Sequence, residues 1–415
     1  MLKPLEKNEK FTPRRGPVVL AILDGVGFGK YADGDAVRRA NTPVLDALTA
    51  DCPCTQLKAH GTAVGMPSDA DMGNSEVGHN AIGSGRVFSQ GAKLVGEAVT
   101  GGKLFAGEVW KKLIANVLDN HSALHLIGLV SDGNVHSHIN HLYAMIDAAF
   151  AAGVKTLRVH ALLDGRDVPE TSAMEYIRPL EEKLAALSAE GVDYLIASGG
   201  GRMVITMDRY GANWDMVRRG WETHVHGNGE FFPGATQAIE TLRQRTGAID
   251  QDLGAFVISK DGKTPAGAMH DGDSVILFNF RGDRALEITA AFEGGADFDK
   301  FDRGEVPRVM FAGMMEYDGD LHVPKNYLVT PPEIDRTMDE YLCASRVRQL
   351  AVSETQKYGH VTYFFNGNRS GKFDEALEDY VEVPSDVVPF EERPWMKSAE
   401  VTDVVVDAIN SRCSN

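Results

Sequence analysis

The chain has 415 residues, of which 43% are hydrophobic and 24% charged, the make-up of a soluble globular protein too long for one ordinary core, so two domains are expected. Its net charge of -17 argues against nucleic acid or an anionic membrane as partner. It leaves room for a small anion, provided arginines are gathered locally.

The N-terminal stretch "MLKPLEKNEKFTPRRG" is charged and lacks the apolar core of a secretory signal. No apolar run approaches the ~18 residues of a membrane span. Cys52, Cys54, Cys343 and Cys413 are too sparse for a disulfide framework and read as unpaired thiols. The expected setting is the cytoplasm.

In chain order, "VVLAILDGVG" (18–27) is the first of several short continuous apolar runs. Thr42-Pro43 before "VLDAL" reads as an N-cap followed by proline at the first helical position. In "SDADMGNSEVGHNAIGSGR" (68–86), Asn74 is a good N-cap, which puts Ser75 in the first turn of a helix. Further apolar runs follow at 123–133, 157–167, 193–202 and 273–284; continuous rather than alternating, they suit strands buried on both faces of a parallel sheet. Between them, 139–155 sets Leu142, Met145, Ile146 and Ala149 on one helical face and stops at Gly153. A second helix is expected over 172–191. The polar, proline-bearing stretch 366–394 reads as a surface excursion. Strand and helix alternate, so the fold class is α/β.

Polar residues fall at the carboxyl ends of these runs: Asp24, Asp132, Arg166 with Asp167, Arg202, and Arg281 with Arg284. Ligands bind at that edge of an open α/β sheet. Arg166, Arg202, Arg209, Arg281 and Arg284 would together grip a small molecule of two or three negative charges through planar guanidinium forks. Against this, the arginines of "FRGDR" can simply pair with Asp283. His136 and His138 form an H-x-H pair that suits a phosphate contact, a metal or a structural role. Asp167, beside Arg166, stays ionised and can move a proton to or from a substrate hydroxyl. Ser75 reads equally as a cap residue or as a nucleophile. Helix-start N–H groups would favour an attacked phosphate, and Asp24 would supply one metal carboxylate.

The stretches "ILDGVG", "NTPVLDAL", "MGNSEVGHNAIGSGR", "GLVSDGNVHSH", "HALLDGRDVPETSA", "GGGRMVITMDRYGANWDMVRRGW", "FNFRGDRALEIT" and "SETQKYGHVTYFFNG" resemble, in order, the cofactor-independent phosphoglycerate mutases of the alkaline phosphatase superfamily. That resemblance implies a metal-bearing, alkaline-phosphatase-like phosphatase domain (1–89 and 326–415) interrupted by an inserted α/β transferase domain (90–325). It implies a monomer that interconverts 3-phosphoglycerate and 2-phosphoglycerate through a phosphoserine at Ser75. Asp24 matches a metal ligand that also contacts that serine. His136, Arg166, Asp167, Arg202, Arg209, Arg281 and Arg284 match the substrate site, and Lys357 matches a lysine on the transferred phosphate. The family uses two divalent ions, manganese, magnesium or cobalt, whose other ligands include histidines downstream. This chain has no histidine after His360. The resemblance therefore leads us to expect a chain cut short after the 398–410 helix. It would have an incomplete metal site, an exposed sheet edge and weak or no mutase activity alone. The competing readings are a phosphatase or phosphotransferase acting on another small phosphorylated metabolite, and a non-catalytic phosphoglycerate binder.

Overall fold

The computed structural model describes every residue except 1, 13–15, 90, 210, 296, 319–320, 331–333 and 414–415. Its largest element is an eight-stranded sheet. The strands are β1 (Ala123–Leu129), β2 (Thr156–Leu163), β3 (Asp193–Gly201), β4 (Glu230–Phe232), β5 (Phe256–Ile258), β6 (Ser274–Leu277), β7 (Met310–Met315) and β8 (Tyr327–Val329). Their order is β4-β5-β3-β2-β1-β6-β7-β8, with β3 and β5 antiparallel and all other neighbours parallel.

Side-chain alternation explains why these runs are apolar throughout. Leu124, Leu126 and Ile276 enter the larger core, against Trp110, Leu113, Leu142, Met145 and Ile146. Ile127, Val275 and Leu277 face the other way, onto Val217, Trp221 and Ile288. A strand covered by helices on both faces has no side left for polar residues. Burial of each such Leu or Ile contributes about 1.5–3 kcal/mol. The helix Ile139–Ala151 buries the four residues expected of it, and Gly153 follows at φ 86°. The helix Ala173–Ser188 lies where the second was expected.

From β1 the chain winds outward to β2 and β3 on one side and to β6 and β7 on the other. The point of reversal lies between β1 and β6, and ligands of open α/β sheets bind at the strands' carboxyl ends beside such a point. The loop after β1 brings His136 there, and the turn after β6 brings Arg281 and Arg284.

Outside this sheet, β9 (Gln349–Glu354) and β10 (Glu378–Val383) form a parallel pair. The 366–394 stretch is therefore not all surface excursion. Within it Tyr380, Val381 and Val383 supply β-formers that pair along β9. A larger correction concerns 18–27, which carries the pattern of a buried strand and forms none. Val18 is 98% exposed, and Val19, Leu20 and Leu23 are exposed as well. A buried parallel strand needs hydrogen-bonded neighbours and two covered faces, and among the described residues this run has neither. The helix Pro43–Asp51 does begin at Pro43, but the Thr42 hydroxyl donates to Asp46 Oδ1 (3.1 Å) and caps no backbone N–H. Ser398–Cys413 is helical, and among the described residues no helix is long and apolar enough to cross a membrane.

Candidate active site

Ser75 is the first residue of the helix Ser75–Ser84. Asn74 caps it, its side-chain oxygen accepting from Val77 N–H at 3.2 Å. His79, one turn on, donates from Nδ1 to the Ser75 carbonyl (2.8 Å). The Ser75 hydroxyl is thus held at the positive end of a helix, where an anion is favoured. It donates to Asp24 Oδ2 at 3.2 Å. Lys357 Nζ lies 2.7 Å from the same oxygen, and His360 Nδ1 lies 3.6 Å from it. His360 and Lys357 hold the Asp24 carboxyl well below the usual carboxylate range, against its partial burial. Burial pushes the His360 imidazole down to about 4, so it stays neutral.

The arginines converge at this end of the sheet. Arg202 is buried and donates to Asp164 Oδ1 (2.8 Å) and to Asp167 Oδ2. Asp164 in turn accepts from the Ser131 hydroxyl (2.6 Å) and from the Asp167 backbone N–H (3.0 Å), so it fixes the loop that presents Asp167. Arg284 donates to the Met207 carbonyl at 2.5 Å. Burial and then Arg209 pull the Arg284 guanidinium down to about 9, with Arg202 and Arg166 adding to the effect and Asp283 opposing it. Arg166 is lowered too, by burial, Arg202 and Arg209. His136 is driven well below its ordinary value by burial and by Arg202, and is neutral. Guanidiniums this crowded repel one another, and a bound anion would relieve that repulsion.

Two contacts join this cluster to Ser75. Arg281 Nε stands 3.6 Å from Glu76 Oε2, on the residue after Ser75. Arg209 donates from Nε (3.2 Å) and Nη2 (2.9 Å) to Gln356 Oε1, on the residue before Lys357. The residues singled out in the sequence, Asp24, Ser75, His136, Arg166, Asp167, Arg202, Arg209, Arg281, Arg284 and Lys357, all lie around this one locus. His138 does not join them: its Nδ1 accepts from Asn140 N–H at 3.1 Å, as the N-cap of its own helix.

Glu76, Asp283 and Gln356 were missed as site residues. Asp283 is buried among Arg281 (3.3 Å), His136 (3.7 Å) and Arg209 (3.7 Å), a local counter-charge for the whole cluster. Its pairing with Arg281, the bland reading of "FRGDR", is therefore real and coexists with the convergence of the other arginines. Each of the three missed residues sits beside a residue already singled out, and that adjacency was the one available signal.

The region 95–319 matches the family model described as the BPG-independent PGAM N-terminus. A probable 2,3-bisphosphoglycerate-independent phosphoglycerate mutase of Leptospira interrogans is 54% identical over 409 residues, 98% of this chain and 74% of that protein. This chain belongs to the 2,3-bisphosphoglycerate-independent phosphoglycerate mutase family. The mutase of Trypanosoma brucei brucei is 52% identical over 97% of this chain and 73% of its own length. A crystal structure of Leishmania mexicana phosphoglycerate mutase at low cobalt concentration superposes with a TM-score of 0.91 at 51% identity, covering 94% of this chain and 71% of that one.

A relative crystallised with cobalt fits a metal-dependent mutase family, so the donors present here matter. Ser75 Oγ and the Asp24 carboxylate are the oxygens at hand, and the Lys357 ammonium already pairs with the Asp24 oxygen that the serine hydroxyl touches. Among the described residues no three or more His, Cys, Asp or Glu side chains form a metal-holding group. Two oxygens and an adjacent ammonium do not fit a pair of divalent ions.

Proposed function

We propose that this mutase-family site binds 3-phosphoglycerate and passes its phosphoryl group through Ser75 to give 2-phosphoglycerate. The observation that carries this reading is the meeting of two machineries at one point. Arg281, after β6, reaches the helix start that bears Ser75 through Glu76, and Arg209, beyond β3, reaches the segment that bears Lys357 through Gln356. In this reading 1–89 and 326–415 supply the phosphoryl acceptor, and 90–325 holds the glycerate.

The atoms balance as follows. Ser75 Oγ forms a bond to phosphorus as the bond from phosphorus to the C3 oxygen breaks, and the serine proton ends on that C3 oxygen. The glycerate stays bound through its carboxylate, gripped by Arg202, Arg281 and Arg284, and turns. Its C2 oxygen then attacks phosphorus, the bond to Ser75 Oγ breaks, and the C2 hydroxyl proton returns to Ser75. Asp167, held by Arg202, is the base that moves protons at the glycerate hydroxyls. Lys357 neutralises charge on the phosphoryl group in transit. Retention of the alcohol between steps is what separates a mutase from a phosphatase.

One observation favours a second reading, binding without efficient turnover. Asp24, the carboxylate touching Ser75, is too weak a base to activate the hydroxyl while His360 and Lys357 stabilise its charge. Calorimetry with 3-phosphoglycerate, beside an isomerisation assay, separates the two. The expected result is binding, weakened about 10- to 100-fold by Arg284→Met through loss of a charge-assisted contact. Absence of binding by the unaltered chain, or equal affinity of the variant, removes the pocket assignment.

A further inference from the structure

A line of buried hydrogen bonds crosses the sheet beneath the pocket and ends on the backbone that carries Arg209. It begins at Asp273, just before β6, whose carboxylate accepts from Ala123 N–H (2.8 Å), His270 N–H (2.7 Å) and His125 Nε2–H (3.1 Å). An ionised carboxylate only accepts, so His125 carries its proton on Nε2 and its Nδ1 must accept. It accepts from His160 Nε2–H at 2.9 Å, across β1 and β2. His160 Nδ1 then accepts from the Ser198 hydroxyl (2.7 Å), on the residue of β3 paired with it. Ser198 Oγ accepts from His224 Nδ1–H (2.8 Å), and His224 Nε2 accepts from the Thr206 hydroxyl (2.9 Å). Every link points toward Asp273, and each ring nitrogen is used once.

None of these side chains touches the arginine cluster, and none is more than 3% exposed. Burial holds all three imidazoles down, His224 to about 3. The charged or titratable neighbours are Arg158, beside His125 and His160, and Asp273 and His270, beside His125. A neutral, single-tautomer chain is the one state that satisfies every nitrogen.

Its far end is strained. Thr206 has φ 68°, a left-handed conformation that a β-branched residue rarely adopts. Its N–H donates to the Met216 carbonyl (3.0 Å), and a Cβ on Gly220 would overlap its hydroxyl. His224 lies in a π-helical turn, Glu222–His226, that follows directly on the helix Trp214–Trp221. Beyond Thr206 the chain places the Met207 carbonyl on Arg284, Asp208 Oδ2 on Asn213 N–H (2.5 Å) and Arg209 on Gln356.

We infer that the chain Asp273–His125–His160–Ser198–His224–Thr206 sets the Met207–Arg209 arm of the pocket, with Thr206 and His224 as positioning residues that fix where Arg209 and Arg284 meet the anion. The ligand rests on the phosphoglycerate reading above; the hydrogen-bond chain does not. Nitrogen NMR on histidine-labelled full chain is expected to show His125 and His160 protonated on Nε2 and His224 on Nδ1. Thr206→Val keeps the branched shape and removes the hydroxyl. It is expected to shift the Arg209 Nε–H signal and to weaken 3-phosphoglycerate binding about tenfold. Thr206→Ser is expected to restore both to within about twofold of the parent. A His224 proton on Nε2, an unmoved Arg209 signal in Thr206→Val, or a serine variant as impaired as the valine one overturns the inference. If the parent does not bind 3-phosphoglycerate, the pocket assignment falls, while the tautomers and the Arg209 signal still decide the chain.

Discussion

Burial holds the Glu76 carboxyl up at about 7, against the pull of Arg281 and with the help of Asp283. It thus holds its proton to higher pH than an ordinary glutamate, one residue from Ser75, and its contact to Arg281 is 3.6 Å, too long for a hydrogen bond. The raised value has a consequence for stability. Between roughly pH 4.5 and 7 the folded chain keeps a proton that the unfolded chain has released. Stability from this group is therefore full below that window and is lost as pH rises through it. Glu76→Gln cannot titrate and is expected to flatten the fall in urea midpoint between pH 5 and 7.5. A variant whose midpoint falls as steeply as the parent's would show that Glu76 is not the group responsible. Gln356 shares with Glu76 the reason it is hard to see: its partner lies far away in sequence, and no local pattern encodes a contact between a helix start near residue 75 and a turn near residue 281. For Asp283 the pairing with Arg281 is local and legible, but its approach to His136 and Arg209 is not.

At the scale of elements, the Ser75–Ser84 helix shows what could be read and what could not. Its cap, its first turn and its glycine stop are local, and the structure has each of them: Asn74 on Val77 N–H, Ser75 first, Gly85 at φ 64°. Its docking is not local. Gly83 packs against the carbonyl of Phe365, just past the π-helical turn His360–Phe364, so closely that a Cβ there would overlap it. Gly83→Ala must therefore push the Ser75 helix away from the segment bearing His360 and Lys357. It is expected to lower the melting temperature more than Asn74→Ala, whose lost cap costs about 1 kcal/mol, and to abolish any labelling of Ser75 by a phosphoryl donor. Equal melting temperatures for the two variants would mean that the helix does not depend on this close approach. The strands divide in the same way. Runs 123–133, 157–167, 193–202 and 273–284 became β1, β2, β3 and β6 because each found neighbours and two covering layers. Run 18–27 has the same composition and stays exposed. An apolar pattern states what a strand would bury, not whether a neighbour is there to receive it. His125 and His160 lie inside apolar runs, and their partners on neighbouring strands and on Asp273 are not encoded locally.

For the molecule as a whole, the arginine pocket and the Ser75 corner make different demands on ions. The chain carries a net charge of -17, yet Arg202 and Arg284 are buried close enough to one another that an anion bound there would relieve their repulsion, and distant charge is screened beyond a Debye length of about 8 Å at physiological salt. The Ser75 corner offers a divalent cation the Asp24 carboxylate and one hydroxyl, and opposes it with the Lys357 ammonium 2.7 Å from Asp24. A ligand that binds the folded state alone raises stability in proportion to the logarithm of its concentration over Kd. On these grounds 3-phosphoglycerate is expected to raise the melting temperature of the 415-residue chain, while millimolar manganese or cobalt alone leaves it within about 1 °C, because two oxygen donors do not hold a hard or borderline cation against an ammonium. Isomerisation by this chain in the same buffers is expected to run well below that of the longer Leptospira relative. Scanning calorimetry with each ligand singly and together, beside that assay, measures both. A manganese-dependent rise of several degrees without substrate, or turnover equal to the longer relative's, would show that the Lys357–Asp24 pair yields to metal and that this corner is already a working metal centre.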